Sequence, residues 1–133
     1  MLAVSGALPQ DLLEREEFVN ACRMAVEKIA ATCTQIAAIV GAPNLDSENG
    51  IMYNSAYFIQ NGEVVDGVHK NILSDYDIFS ESRYFIAGED NTPIRYKNQN
   101  IRIAKTRRDI PNVVRIVFII MICLLKFRLR FNG

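Results

Sequence analysis

The sequence contains only three cysteines in 133 residues, and their number and spacing argue against two kinds of site. Cys22, Cys33 and Cys123 match neither a zinc ligand pair nor a Cys-x-x-Cys redox motif. An odd count also argues against a complete disulfide framework. Because disulfides are rare in the cytoplasm, we expect a cytoplasmic protein whose cysteines are structural.

The sequence also lacks internal repeats, a targeting segment and an apolar run of spanning length. Residues 1–6 have neither a basic start nor a long apolar core, so they do not predict a signal peptide. Residues 116–125 are ten apolar residues in a row, whereas a membrane-spanning helix needs about 20. A membrane anchor is therefore disfavoured, and membrane contact by this segment is only an alternative.

The net charge is zero, but the charges are unevenly distributed along the chain. Residues 1–100 carry 7 basic and 14 acidic side chains, whereas residues 101–133 carry 8 basic side chains and one acidic side chain, Asp109. Basic segments can bind nucleic acid, but this one is interleaved with Ile, Val, Phe and Leu. We therefore predict no nucleic-acid partner. We interpret the reversal of charge near residue 101 as a change in the composition of the chain.

Half of the residues are hydrophobic, which is enough for the core of one packed domain. The pattern of apolar residues predicts that this domain contains both α and β structure. Apolar residues at three- and four-residue steps predict a helix over residues 10–31. The remaining pattern predicts about five strands, at residues 36–40, 52–60, 63–69, 92–96 and 100–104. Residues 41–44 read as a turn, and Asn61 with Gly62 is typical of a tight hairpin turn.

The third predicted strand leads directly into Lys70, which we expect at the end of a sheet. The loop that follows carries Glu81 and Arg83, which could instead form a surface ion pair of small energy. Likewise, Lys70 could be a solvated lysine. His69 precedes it and should point to the opposite face of the strand, so we assign it no catalytic role.

Five ordered motifs resemble the glutaminase domain of the glutamine-dependent NAD synthetases, in the carbon–nitrogen hydrolase (nitrilase) superfamily. These motifs are residues 2–13, 40–44 and 53–56, Lys70, and residues 79–85. The resemblance covers residues 1–104, which we interpret as a partial domain. We interpret residues 105–133 as a divergent basic and apolar tail. The resemblance implies an α+β fold, namely a partial αββα sandwich with an N-terminal helix and a mixed sheet.

The resemblance implies hydrolysis of glutamine by a triad of Glu, Lys and Cys. The cysteine attacks the amide carbonyl, the glutamate moves the proton, and the lysine stabilises the oxyanion. Lys70 matches that lysine, Glu81 is the expected supporting carboxylate, and Tyr76 is a substrate-binding candidate. No cofactor is expected for this fragment, because ATP and magnesium belong to a synthetase domain of the family that it lacks; the family also forms oligomers.

The chain departs from the family pattern at four positions, one of which is Ala7 in place of a usual tyrosine. Met1 stands in the register of the triad glutamate, the nucleophile position falls near Arg107 or Arg108, and Ser74 replaces a usual proline. Cys123 lies in the apolar run, where burial disfavours a thiolate. We therefore expect an inactive fragment, from a reading frame that starts late and is lost after residue 104. The alternative is a non-catalytic pseudoenzyme or interaction module whose tail docks on a protein or membrane.

Overall fold

A computed structural model describes residues 2–6, 9–76, 78–89, 92–101 and 103 of the chain. The expectations for Met1, for Arg107 and Arg108, for Cys123 and for the tail as a whole lie outside the described residues. In chain order the elements are a 3-10 helix (Gln10–Glu14), α1 (Glu16–Thr32), β1 (Ala37–Asp46), β2 (Ile51–Gln60), β3 (Glu63–His69), a second 3-10 helix (Glu81–Arg83), β4 (Ile94–Tyr96) and β5 (Gln99–Ile101). The predicted α+β class is confirmed.

The N-terminal helical region is divided in two, whereas the sequence predicted one helix from residue 10. Arg15 has extended backbone angles, φ −95° and ψ 112°, and separates the first 3-10 helix from α1. Apolar spacing of three and four residues fits either kind of helix, so it could not reveal a break of one residue. Within α1 the buried residues follow the predicted periodicity: Val19, Cys22, Val26 and Ala30.

Strands β1, β2 and β3 form one antiparallel sheet in that order, and β4 pairs with β5 as a separate hairpin. The prediction of a mixed sheet is wrong for the described residues, because each pair is joined by a short turn, which connects only antiparallel strands. The predicted turn at residues 41–44 is also wrong. There β1 continues as a strand, with Pro43 opposite Asn54, since proline is tolerated on a strand that has one neighbour.

The turns between these strands follow the local sequence. At the β1–β2 turn, the Asp46 carbonyl accepts a hydrogen bond from the N–H of Gly50 (2.8 Å), and Gly50 has φ +67°. Asn61 and Gly62 have φ +55° and +88°, the signs that a primed hairpin turn requires. The hairpin prediction for Asn61 and Gly62 is therefore confirmed.

Both faces of the three-stranded sheet are buried. Its first face packs on the helix, through Val26, Ala30, Cys33, Ala42 and Ile59. The opposite face packs on the β4–β5 region, through Ala56, Phe58, Val68, Ile94 and Ile103. Phe58 and Ile59 are adjacent in β2 and fully buried on opposite faces, and each contributes about 1.5–3 kcal/mol through burial. No helix among the described residues is long and apolar enough to cross a membrane.

Gly88 lies tightly against the end of β3. Its N–H donates to the Lys70 carbonyl (2.9 Å), and a Cβ at this position would lie 2.5 Å from the His69 Cβ and 3.2 Å from the His69 carbonyl oxygen. We expect Gly88→Ala to lower the free energy of unfolding by about 1–3 kcal/mol, because backbone must move to admit the methyl group. Urea denaturation measures this change.

The matched control for Gly88 is Gly67 in β3. A Cβ on Gly67 would meet the Tyr57 ring at an ordinary 3.7 Å. We expect Gly67→Ala to change the free energy of unfolding by less than about 0.5 kcal/mol. Equal destabilisation by the two substitutions would contradict the close approach at Gly88.

Candidate functional site

Lys70 is held by its backbone immediately after β3. Its N–H donates to the Asn54 carbonyl (2.8 Å), which extends the β2–β3 pairing by one residue. Its carbonyl accepts from the N–H of Gly88 (2.9 Å). Because both backbone groups are bonded, the side chain leaves the sheet in a fixed direction, and the residue is only 9% exposed.

The Lys70 side chain forms an ion pair with Glu81 in a largely buried position. The ammonium Nζ contacts Oε2 of Glu81 directly and donates a hydrogen bond to Oγ of Ser74 (3.0 Å). The side chains of Lys70 and Glu81 are 10% and 17% exposed. A pair that is shielded from water interacts more strongly than a surface pair, because the local dielectric is lower.

The Glu81 carboxylate is bonded at both oxygens. Oε1 accepts a hydrogen bond from Nδ2 of Asn54 (2.9 Å), and Oε2 accepts one from the backbone N–H of Ser74 (2.7 Å) in addition to the contact with Lys70. These three donors come from β2, the end of β3 and the loop that follows. The carboxylate therefore joins three segments that are distant in sequence.

The loop after Lys70 closes on itself and thereby returns Glu81 to the strand end. The N–H of Glu81 donates to the Ser74 carbonyl (3.1 Å), and the N–H of Ser82 donates to Oδ1 of Asp75 (2.9 Å). The N–H of Phe85 donates to the Glu81 carbonyl (2.9 Å) as the chain enters a cluster of Leu2, Leu13 and Phe85. Within this loop, residues Glu81–Arg83 form the second 3-10 helix.

Burial and hydrogen bonding act in opposite directions on the pKa of Glu81. Burial raises the pKa, but the hydrogen bonds from Lys70, Ser74 and Asn54, together with the charge of Lys70, outweigh it and hold the pKa below its ordinary range. Because the folded pKa is below the unfolded value, the stabilisation is complete above the unfolded pKa. It is lost as the pH falls through the folded pKa.

This titration predicts how the pair responds to acid. We expect the difference in free energy of unfolding between wild type and Glu81→Gln to stay constant from neutral pH down to the ordinary carboxylate range, and to shrink in more acidic solution. Urea denaturation of both proteins between about pH 7 and about pH 2 measures the difference. A difference that grows on acidification would contradict the lowered pKa.

His69 lies on the other face of the sheet, as strand alternation predicted. Its Nδ1 is 2.7 Å from Oγ of Ser55, and its ring stacks on Tyr53 with centroids 4.2 Å apart. The register places Ser55 and His69 opposite each other, one position away from Asn54 and Lys70. The histidine thus contacts β2 on the face of the sheet opposite to Asn54 and Lys70.

Arg83 does not pair with Glu81, so the alternative interpretation of these two residues as a surface ion pair is wrong. The Arg83 guanidinium lies 3.6 Å from Asp11 and 3.7 Å from Glu14, and these three side chains are largely exposed. The Tyr84 hydroxyl also donates to Asp11 (2.6 Å), which raises the pKa of Tyr84. Glu81 is satisfied by Lys70 because the loop places it inside the fold, away from this exposed cluster.

Tyr76 lies in the loop and is 67% exposed. Its ring is tilted against Phe79, with centroids 5.4 Å apart. A cleft of about 200 Å³ borders Phe79 and Glu81, but neither Tyr76 nor Lys70 is among its lining residues. The role of Tyr76 in substrate binding stays a prediction.

Cys22 and Cys33 are free thiols, and both are buried, as predicted. Burial raises the pKa of Cys22, which disfavours its thiolate. Cys33 packs between the helix and the sheet. Within the described part of the chain, no group of three or more His, Cys, Asp or Glu side chains could hold a metal ion.

Two residues of the site were missed from the sequence, Asn54 and Ser74. Asn54 is 1% exposed in a strand whose neighbours are apolar or small. An amide in such a strand is a signal, because a buried polar group needs a partner. The sequence marked Ser74 only as the replacement of a usual proline, whereas Ser74 bonds to both members of the ion pair.

No family model matches the chain. Individual proteins do match it, among them the glutamine-dependent NAD(+) synthetases of Xylella fastidiosa (strain Temecula1) and Xanthomonas campestris pv. campestris (strain 8004). The first is 35% identical over 102 residues, which are 77% of this chain and 18% of the relative. The second is 38% identical over 89 residues, which are 67% of this chain and 16% of the relative.

Two solved structures are similar to the fold. The glutamine-dependent NAD+ synthetase of Acinetobacter baumannii, solved in complex with ADP, superposes with a TM-score of 0.67 at 27% identity, over 77% of this chain and 19% of that protein. The Cytophaga hutchinsonii synthetase gives a TM-score of 0.59 at 26% identity, over 73% and 17%. The chain thus spans about one fifth of the length of these relatives. By sequence and by structure, this chain is homologous to one part of the glutamine-dependent NAD(+) synthetases.

Proposed function

We propose that residues 1–104 are part of a glutamine amidohydrolase domain, in which Lys70 stabilises the oxyanion formed when the side-chain amide of glutamine is attacked. The observation that carries the proposal is the buried ammonium of Lys70, held at a strand end by Glu81 and Ser74. The glutamine dependence named for the relatives supports the choice of substrate.

The arrangement around Lys70 suits an oxyanion. An ammonium carries three N–H donors and a compact positive charge. Two donors are used by Glu81 and Ser74, and no other described residue accepts from Nζ. The third donor is then available to a carbonyl oxygen, in a site where exclusion of water strengthens the interaction.

Glu81 supports the lysine and is not the group that removes the proton from the nucleophile. Its two oxygens already accept hydrogen bonds from three donors, and its pKa is lowered, which makes it a weak base. Its charge compensates that of the buried ammonium. A different carboxylate therefore acts as the base of the reaction.

We further propose that this chain does not hydrolyse glutamine alone. The described cysteines, Cys22 and Cys33, belong to α1 and its packing against the sheet, and the expected nucleophile position falls near Arg107 or Arg108. Incubation of the 133-residue chain with glutamine should release no glutamate above background. Release that disappears in Lys70→Ala would contradict this inactivity.

A chimera tests the role of Lys70 itself. The matched stretch of the Xylella fastidiosa synthetase is replaced by the corresponding residues of this chain, and the relative supplies the remainder of its own sequence. Glutamate release and glutamine-dependent NAD synthesis are then measured with and without Lys70→Ala. Retention of full activity by the variant would contradict the proposal.

The described residues carry neither the cofactor proposal nor the alternative function. We propose that ATP and magnesium act in a synthetase domain and not at Lys70; the Acinetobacter baumannii relative was solved with ADP. The alternative, an interaction module that docks through residues 105–133, rests on residues outside the described part. No contact of the described residues favours it.

A further inference from the structure

We propose that Asn54 and Ser74 are positioning residues, which together orient the Lys70–Glu81 pair so that one ammonium proton is directed to the substrate. This inference rests on the proposed function of Lys70. Neither residue needs to touch substrate, since both act through the ion pair. We call Asn54 and Ser74 the clamp.

The first half of the clamp fixes the carboxylate. Asn54 Nδ2 bonds to Oε1 of Glu81 (2.9 Å), which leaves Oε2 as the oxygen that faces Lys70. A carboxylate bonded at one oxygen only can rotate about its last bond, whereas one bonded at both oxygens has a single orientation. Asn54 is 1% exposed, so water does not readily replace its amide as a donor.

Asn54 also fixes the origin of the lysine. Its carbonyl accepts the hydrogen bond from the Lys70 N–H (2.8 Å), while its side chain bonds to Glu81. One residue of β2 thus contacts the backbone of the cation and the side chain of the anion. Any shift of Asn54 changes both positions together.

The second half of the clamp fixes the ammonium. Ser74 Oγ accepts from Nζ (3.0 Å), and the N–H of the same residue donates to Oε2 of Glu81 (2.7 Å). With two of its three protons bonded, Nζ cannot rotate freely, and the direction of the third proton is set. Ser74→Ala removes only the hydroxyl, whereas Ser74→Thr keeps it.

Nuclear magnetic resonance of the full chain tests both halves without any requirement for turnover. We expect Asn54→Ala to raise the pKa of Glu81, read from its carboxyl carbon, because a hydrogen bond to the charged form is lost. We expect Ser74→Ala to speed exchange of the Lys70 ammonium protons by roughly fivefold to tenfold, and Ser74→Thr to restore slow exchange. Asn49→Ala is the control, since the Asn49 amide bonds to the exposed Asp46.

The outcomes separate the clamp from the proposed function. An unchanged Glu81 titration in Asn54→Ala, or equal ammonium exchange in Ser74→Ala and wild type, overturns the clamp whatever Lys70 does in catalysis. If Asn54→Ala does not fold, the two Ser74 variants decide: fast exchange in alanine and slow exchange in threonine support the clamp, and equal exchange overturns it. Full glutaminase activity of the Lys70→Ala chimera overturns the proposed function instead.

Discussion

Lys70→Ala should lower kcat for glutamine hydrolysis in the chimera by about 100-fold to 1000-fold, the loss typical when one oxyanion donor is removed. The buried ammonium and its fixed direction are the reason. The charge of the substrate oxygen develops mainly in the transition state, so KM should change much less than kcat. Kinetics of glutamate release measure both parameters.

Lys70→Arg should not restore the activity, although it retains the positive charge. The guanidinium is planar and larger than an ammonium, so we expect that it will not reproduce the contacts of Nζ with Oε2 of Glu81 and Oγ of Ser74. A positive charge at position 70 is therefore not sufficient for activity. Activity of the arginine variant near that of wild type would show that a nearby charge alone suffices.

Two controls accompany the lysine variants. Lys28→Ala removes an exposed lysine of α1 and should leave glutamate release unchanged. NAD synthesis supplied with ammonia in place of glutamine should be equal in all chimeras, because it bypasses amide hydrolysis. Loss of ammonia-dependent synthesis in Lys70→Ala would indicate a general folding defect and would contradict a specific role.

Glu81→Ala should lower the free energy of unfolding of the chain by about 3 kcal/mol, because it leaves a buried ammonium without its counter-charge. The Lys70 side chain is 10% exposed, so water compensates only in part. The substitution also removes the acceptor of the Asn54 amide and of the Ser74 N–H. Urea denaturation followed by circular dichroism measures the change.

Comparison of Glu81→Gln with Glu81→Ala separates the contribution of the charge to stability from that of the hydrogen bonds. Glu81→Gln retains one carbonyl acceptor but not the charge, so its cost should be smaller, about 1–2 kcal/mol. Glu27→Ala is the matched control: Glu27 pairs with Arg23 across one helical turn, and its side chain is 57% exposed. That loss should stay below about 0.5 kcal/mol. Equal losses for Glu81→Ala and Glu27→Ala would contradict a buried pair.

The local conformations were predictable because they depend on neighbouring residues. Asn61 and Gly62 determine a tight turn wherever they occur between strands, and the apolar periodicity of α1 shows which of its residues are buried. The break at Arg15 and the extension of β1 through Pro43 were not predictable in this way. Both depend on packing and pairing with distant residues.

The amino-acid sequence by itself determined the α+β class, the hairpin that ends at Lys70 and the similarity to one part of the glutamine-dependent NAD(+) synthetases. These features depend on local patterns and ordered motifs. The sequence left two interpretations of Glu81 open, as the support of Lys70 or as a partner of Arg83, and only the tertiary structure decided for Lys70. Only the tertiary structure showed that Asn54 and Ser74 bond to that pair. Such contacts join residues up to 27 positions apart. They form because folding buries these polar groups together, where each needs a partner.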